Sequence, residues 1–291
     1  MQLLINALIA GSFAALMASG LSLVYGVLGI FNMALGQYAL MGGYMTWWAF
    51  SVLHLPFFMS FCIGIGVTAL LSWVSFEIFV APYYKRHRFL PLVTTIALSM
   101  ILDGLLLVLF HEQPRTIDLG APSLLQLGSA VISMQQILLI VLTLLFLFVL
   151  VLLLAFTRFG RAVRATVQHH QAAESLGIPS ALLHRFLFIG SGMLAALAGI
   201  FVALDQNLTP TLGFPITIKA YAAIIAGGKR SLGGAILCAY LIALLEQLAV
   251  GIPWFGLYIP AGYQATVALV AIIVVLLLKP EGLFGSKVRI A

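Results

Sequence analysis

Charge is what this sequence has least of. Of its 291 residues, 8% are Asp, Glu, Lys or Arg and 63% are hydrophobic. A soluble domain carries about 25% charged residues. So few charges cannot cover a surface that faces water, which excludes a soluble globular protein and leaves an integral membrane one. Residues 1–84 contain no Lys or Arg at all, so the chain lacks the basic start of a cleaved signal peptide. Its two cysteines, Cys62 and Cys238, each lie inside an apolar run without metal-ligand spacing, and read as small buried side chains. Catalytic signatures are missing too. There is no G-x-x-x-x-G-K-[ST] loop to cradle a nucleotide, because GGKRS at 227–231 lacks the leading glycine at the right distance. Neither H-E-x-x-H nor G-x-S-x-G occurs. The adjacent His169 and His170 would leave a helix on different faces, a poor metal site. No cofactor, metal or catalysis of its own is expected of this chain.

What fills the sequence is a series of continuous Leu/Ile/Val/Phe/Ala runs, close to the roughly 20 residues that a bilayer core demands of a helix. A β-barrel would show short alternating segments instead. Apolar runs cover residues 3–25, 26–53, 57–80, 89–110, 134–156, 186–204, 235–251 and 262–278, with a shorter one at 216–228. His54 and Pro56 interrupt the second. The expected fold is an all-α integral membrane protein: about eight transmembrane helices plus one short or half helix, forming a single domain over 1–291.

The formal charge is +6. Its basic residues fall in short clusters between apolar runs, which reads as positive-inside bias rather than a nucleic-acid surface. Placing Lys85/Arg86/Arg88, Arg158 to Arg185, Lys229/Arg230 and Lys279 to Arg289 in the cytoplasm separates neighbouring clusters by two apolar segments each. The connections 112–133, a polar proline-bearing loop, 205–215 and 252–260 then fall outside, with the N-terminus outside and the C-terminus cytoplasmic. Small residues at i and i+4, Gly192/Ala196 and Ala195/Gly199, provide faces for close helix packing in lipid.

The longest polar interruption is 157–185, TRFGRAVRATVQHHQAAESLGIPSALLHR, too charged to sit in lipid. Ala172 and Ala173 give it a small-side-chain face, Gly177 permits a left-handed helix end, and Pro179 suits the first turn of a following helix. A second unusual stretch is 26–44, whose glycines are too many for a plain helix interior at up to about 1 kcal/mol each relative to alanine. Irregular backbone at membrane depth is tolerated where it is buried or lines a cavity. Two readings stand side by side: Asn32, Gly36, Gln37 and Tyr38 as an uncharged lining of a solute pathway, or close helix packing through the glycines. Four ionisable residues fall within apolar runs. Glu77 and Lys219 lie near predicted helix ends and are expected to snorkel; Asp103 and Glu246 are expected to have buried hydrogen-bonding partners.

Several of these stretches, taken in order, resemble one family. QAAESLG (171–177) resembles the cytoplasmic coupling motif of ABC-importer permeases. GLSLVYGVLGIFNMALGQYALMGG (20–43), RFGRAVRAT, LGIPSALLHRFLFIGSGMLAALAG, GFPITIKAYAAIIAGG (213–228) and KPEGLFG resemble the branched-chain amino acid permease family, the shorter of its two permeases. The resemblance runs from about residue 3 to 285. It implies a permease without its own ATP hydrolysis, in a bacterial inner membrane. It also implies partners: two cytoplasmic ATP-binding subunits, a periplasmic solute-binding protein and a second, LivM-like permease. Arg161, Arg164, Gln171, Ala172, Ala173, Glu174 and Gly177 would then form the surface that docks into the ATPase. The chain departs from the family in having Leu35-Gly36-Gln37 for His-Gly-Glu, Gly233-Gly234-Ala235 for Pro-Gly-Ala, and Gln171 where the coupling motif is acidic. Permeases for urea, short amides or other small solutes share this pattern. The competing class is an ion-coupled secondary transporter working through Asp103 or Glu246; an intramembrane enzyme would need a constellation the sequence lacks.

Overall fold

The computed structural model describes residues 2–84, 89–120, 124–127, 130–228, 231–251, 260–279 and 282–284. The clusters Lys85/Arg86/Arg88 and Lys229/Arg230, the expected outer loop 252–260 except its last residue, and the tail beyond 284 lie outside the described residues.

Helices dominate. Among the described residues six are long and apolar enough to cross a membrane: α1 (Gln2–Leu28), α3 (Phe57–Ser75), which continues as a π-helical turn (Phe76–Val80), α4 (Leu90–Phe110), α5 (Met134–Phe156), α8 (Ser180–Asp205) and α10 (Leu232–Gly251). Three more apolar helices are shorter: α2 (Leu35–Ser51), α9 (Gly213–Gly227) and α11 (Gln264–Leu278). Two polar helices, α6 (Arg158–Gln168) and α7 (His170–Ser175), occupy the long polar interruption. Each apolar run of the sequence thus contains a helix among the described residues.

Helix boundaries follow local chemistry. Pro56 precedes α3, and Pro91 stands in the first turn of α4, where its missing N–H has no intrahelical partner to lose. Ser133 and Gln136 form a reciprocal capping box at the start of α5. The second run breaks at His54, whose backbone turns to a positive φ.

α1 and α8 form the centre. In their most apolar windows 83% and 78% of residues are buried, against 17% for α5, so α5 turns most of its Leu, Val and Phe side chains outward, as a lipid-facing helix does. α8 packs on α2 and α3 through its small residues. A Cβ on Gly192 would meet Ser72, one on Gly42 would meet Ala196, and one on Gly199 would overlap the carbonyl of Ala39. The paired small residues of α8 therefore do what their spacing predicts.

One expectation needs correcting. The connection 112–133 is more than a polar loop, because β1 (Leu124–Leu127) and β2 (Ala130–Ser133) pair as an antiparallel hairpin, Leu124 opposite Ser133. Its apolar residues, Leu124, Leu125, Val131 and Ile132, alternate poorly with polar ones, and the prolines nearby obscured the strand pattern. The same connection is tied to the next loop by paired backbone hydrogen bonds between Arg115 and Leu208, at 3.0 and 2.8 Å. The amide of Val131 also donates to the side chain of Gln2. The start of α1, the hairpin and the loop 206–212 therefore share one end of the molecule. The last turns of α1 share the other end with α6 and the start of α10, around a cavity of 390 Å³ lined by Gly26, Leu154, Arg164 and Leu232.

Candidate functional site

The polar interruption folds as two short helices at an angle. Thr157 caps α6 by accepting the Gly160 amide at 3.1 Å. Arg161 is exposed. Arg164 folds back instead: its guanidinium donates to the carbonyl oxygens of Leu154 and, at 3.2 Å, Ala155. A cation over the unsatisfied carbonyls at a helix C-terminus is favourable both as a cap and against the helix dipole, so Arg164 fastens α6 to α5. Extended backbone at His169 separates α6 from α7.

Within α7 the two alanines part company. Ala172 is exposed whereas Ala173 is 3% exposed and faces the protein. The small face offered outward is thus Ala172 with its exposed neighbours Gln171 and Glu174. α7 ends in backbone hydrogen bonds from Gly177 to Glu174 and from Ile178 to Ala173, with Gly177 at φ +82°. That is the left-handed helix end expected of a glycine here. Pro179 sits just before α8 as its cap residue. Glu174 accepts a hydrogen bond from Ser180, which links α7 to the first turn of α8.

The glycine-rich stretch is the second part of the site. α1 stops at Leu28, Gly29 turns to φ +67°, and irregular backbone runs to the start of α2 at Leu35. Asn32 is fully buried; its side-chain oxygen accepts the Ala34 amide at 3.1 Å while its side-chain nitrogen has no hydrogen-bond partner among the described residues. α9 begins against this break. The Gly36 amide donates to Thr217 at 2.9 Å, and a Cβ on Gly36 would overlap the Gly213 carbonyl. Two short helices therefore start beside one another, inside the protein. At 15 residues, α9 spans about 22 Å, too little to cross the bilayer core, as expected of the short segment. Gln37 donates to Asp103 of α4 at 3.0 Å, and its own carbonyl oxygen is buried without a hydrogen bond. Tyr38 is fully buried, edge-on to Phe188 of α8 with ring centres 6.3 Å apart. The packing reading is seen at Gly36, Gly42 and Gly43, which sit against neighbouring helices; Asn32 and Gln37 carry buried side-chain atoms without hydrogen-bond partners among the described residues.

The ionisable residues pair. Asp103 has Gln37. Lys219 of α9 does not snorkel to a helix end; it meets Glu246 of α10 at 2.8 Å, with the Glu246 side chain 5% exposed. Glu77, in the π-helical turn, pairs with Arg185 of α8 at 2.5 Å. Sequence reasoning missed both ion pairs and the role of Thr217. The signal was available in part, since a lone charge within an apolar run demands a partner, but nothing in the sequence says which helix supplies it. Among the described residues no group of three or more His, Cys, Asp or Glu could hold a metal ion.

A bundle of apolar helices with two of them starting inside the protein, polar atoms at that point and a polar helix pair at one end is the build of a multi-pass transport permease. The chain belongs to the family described as branched-chain amino acid transport system / permease component, whose pattern matches residues 3–278. It is 31% identical to the high-affinity branched-chain amino acid transport system permease protein BraD of Pseudomonas aeruginosa, over 98% of this chain and 95% of that protein. It is 27% identical to LivH of Escherichia coli K12, over 98% and 95%. Identity is also 27% to a probable LivH of Methanocaldococcus jannaschii, over 98% and 92%. A solved structure, PsaBC from Streptococcus pneumoniae in complex with Fab, is similar at a TM-score of 0.49 and 17% identity, over 97% of this chain and 93% of that one.

Proposed function

We propose that this chain is the membrane-spanning subunit of an ATP-driven importer that translocates branched-chain or related amino acids across a bacterial inner membrane. Two ATP-binding subunits work from the cytoplasm, a periplasmic binding protein delivers the solute, and a second, LivM-like permease completes the pore. The observation that carries the reading is the α6–α7 element: a polar helix pair at one end of an otherwise apolar bundle, fixed to α5 by Arg164 and to α8 by Glu174. Its outward surface of Arg161, Gln171, Ala172 and Glu174 suits docking into a soluble motor. Relatives that align over nearly the whole chain are branched-chain amino acid permeases, which supports the solute class.

The element lies at the cytoplasmic end, and the N-terminus, the hairpin and the loop 206–212 lie outside. Basic residues concentrate at the α6 end, as the positive-inside rule requires. Asn32, Gly36, Gln37 and Tyr38 line the solute path. Asp103 supports this placement: a partly exposed carboxylate at membrane depth is too costly to leave against lipid, so the α2–α4 face turns toward water or a partner subunit. In this reading α2 also spans, α11 spans as the continuation of the turn Ala261–Tyr263, and α9, which starts beside Gly36 inside the protein, enters partway, giving eight crossings plus one half helix. The test is reconstitution in vesicles with the ATPase subunits and binding protein. Leucine uptake should require ATP and both partner types. Uptake that persists without the ATPases and collapses with an ionophore would sink the reading.

A further inference from the structure

We infer that the Arg185–Glu77 ion pair is a positioning contact that transmits movement of the α6–α7 element to the pathway residues of α2, through the π-helical turn of α3; this rests on the coupling reading above. The contacts form a continuous route. Glu174 of α7 accepts a hydrogen bond from Ser180 in the first turn of α8. Five residues on, Arg185 meets Glu77 at 2.5 Å. Around that pair α8 grips the end of α3 in three more places. His184 stands perpendicular to Tyr84 with ring centres 5.4 Å apart, Phe188 lies 5.4 Å from Phe76, and the Phe188 carbonyl accepts from Ser72 at 2.9 Å. Phe188 is also the ring that Tyr38 meets edge-on. One side chain therefore touches both the π-helical turn and the pathway stretch.

The π-helical turn, Phe76–Val80, is the element that can have two arrangements. It holds one residue more per turn than an α-helix needs, and such bulges are uncommon and concentrate at functional sites. Reverting it to α-helix would change the register of everything beyond it by one residue, rotating Glu77 relative to α8. The ion pair fixes Glu77 toward Arg185 and so favours the observed register. The contacting atoms, Arg185 Nε and Glu77 Oε1, are buried, but the two side chains are otherwise partly exposed, at 41% and 36%, so water has access to both charged groups when the pair opens. It is weak as a structural clamp, because partly exposed pairs contribute little to stability, and well suited to a contact that makes and breaks in each cycle. The ion pair and the π-helical turn thus add one reversible link beside the direct packing of α8 on α2.

The experiment uses the complete importer in proteoliposomes. Glu77→Gln and Arg185→Gln are compared with the charge-exchanged double variant, Glu77→Arg with Arg185→Glu. Each is read for leucine uptake, for ATP hydrolysis with and without binding protein, and for ATPase subunits retained on purification. Expected is a tenfold or greater loss of uptake in each single variant, with the ATPases retained and hydrolysis no longer stimulated by binding protein. The exchanged pair should recover at least a third of the uptake. Unchanged uptake and stimulation in Glu77→Gln would overturn the inference. Loss of the permease from the membrane in both single variants would also overturn it, because the pair would then hold the fold and not the motion. Loss of bound ATPase would overturn it differently, by making the pair part of the docking surface. A Gly177→Val control distinguishes failure of the underlying reading: if it leaves both uptake and ATPase retention intact, α7 is not the docking element at all.

Discussion

Lys219 and Glu246, on different helices, share a proton-donating contact of 2.8 Å between Nζ and Oε2. The pair joins the short helix α9 to the spanning helix α10, beside a small cavity of 40 Å³ that Ala10 and Ala14 of α1 help to line. A helix too short to cross needs a tether at depth, and the pair supplies one. Removing one partner leaves an uncompensated buried charge, a loss of about 3–5 kcal/mol, whereas replacing both with apolar groups is often nearly neutral. Lys219→Met should therefore sharply reduce the folded fraction and melting temperature in detergent, and Lys219→Met with Glu246→Leu should recover most of both. Equal loss in the single and double variants would show that the charges themselves are needed.

Gly36 lies against the Gly213 carbonyl, so any side chain there must push α2 and α9 apart. Gly36→Val should lower thermal stability by several degrees and abolish uptake. Gly26, which has nothing within 4 Å of its would-be Cβ, provides the comparison: Gly26→Ala should be stable and transport. Thermal denaturation and uptake of the two variants, side by side, check this.

Gly177 has open space around it but a φ of +82°. A β-branched side chain is strained there whatever the room. Gly177→Val should insert and fold, because the strain is confined to an exposed turn, yet lose most uptake and binding-protein-stimulated hydrolysis. Western blotting of membranes alongside the two activities separates assembly from coupling.

Gln37 is the donor to Asp103, and its carbonyl oxygen is buried without a hydrogen bond among the described residues. Gln37→Leu removes both the donor and the spare acceptor. If these atoms face the solute, the KM for uptake should rise about tenfold with the amount of inserted permease unchanged. A fall in expression with KM constant would mark Gln37 as a structural residue.

Sidedness can be read directly. In a background lacking Cys62 and Cys238, cysteine at Glu112 should react with an impermeant maleimide added to intact spheroplasts. Cysteine at Gln171 should react only after permeabilisation. Reversed labelling would invert the orientation argued from the basic clusters.

Which parts of this molecule were legible in its sequence follows from the range of each interaction. The apolar helices α1 to α5 and α8 to α11 were readable because a bilayer imposes its length requirement locally. The left-handed turn at Gly177 and the short length of α9 were equally local facts. Pairing was not. Glu77 and Lys219 looked able to snorkel because only the sequence distance to a helix end was visible; their true partners, Arg185 and Glu246, belong to helices whose rotation no periodicity reveals in an all-apolar run. The same limit explains Ala172 and Ala173. Adjacent residues on a six-residue helix must diverge by about 100°, but only packing against the neighbouring helices α6 and α8 decides which of the two turns outward. The hairpin at 124–133 was hidden for a different reason: four-residue strands with apolar residues on both faces leave no alternating pattern to detect.

The stitch between Arg115 and Leu208 has a further consequence. Arg115 also lays its guanidinium over the ring of Trp47, 4.6 Å from the centre, while Tyr44 donates to the Leu208 carbonyl at 3.2 Å. The ends of α2, α4 and α8 and the entry to α9 are thereby sewn into one seam across the mouth of the bundle. In the importer proposed above, a solute-loaded binding protein pressing on either loop would move a single plate, and with it the helices that carry Gln37, Asp103 and Gly213.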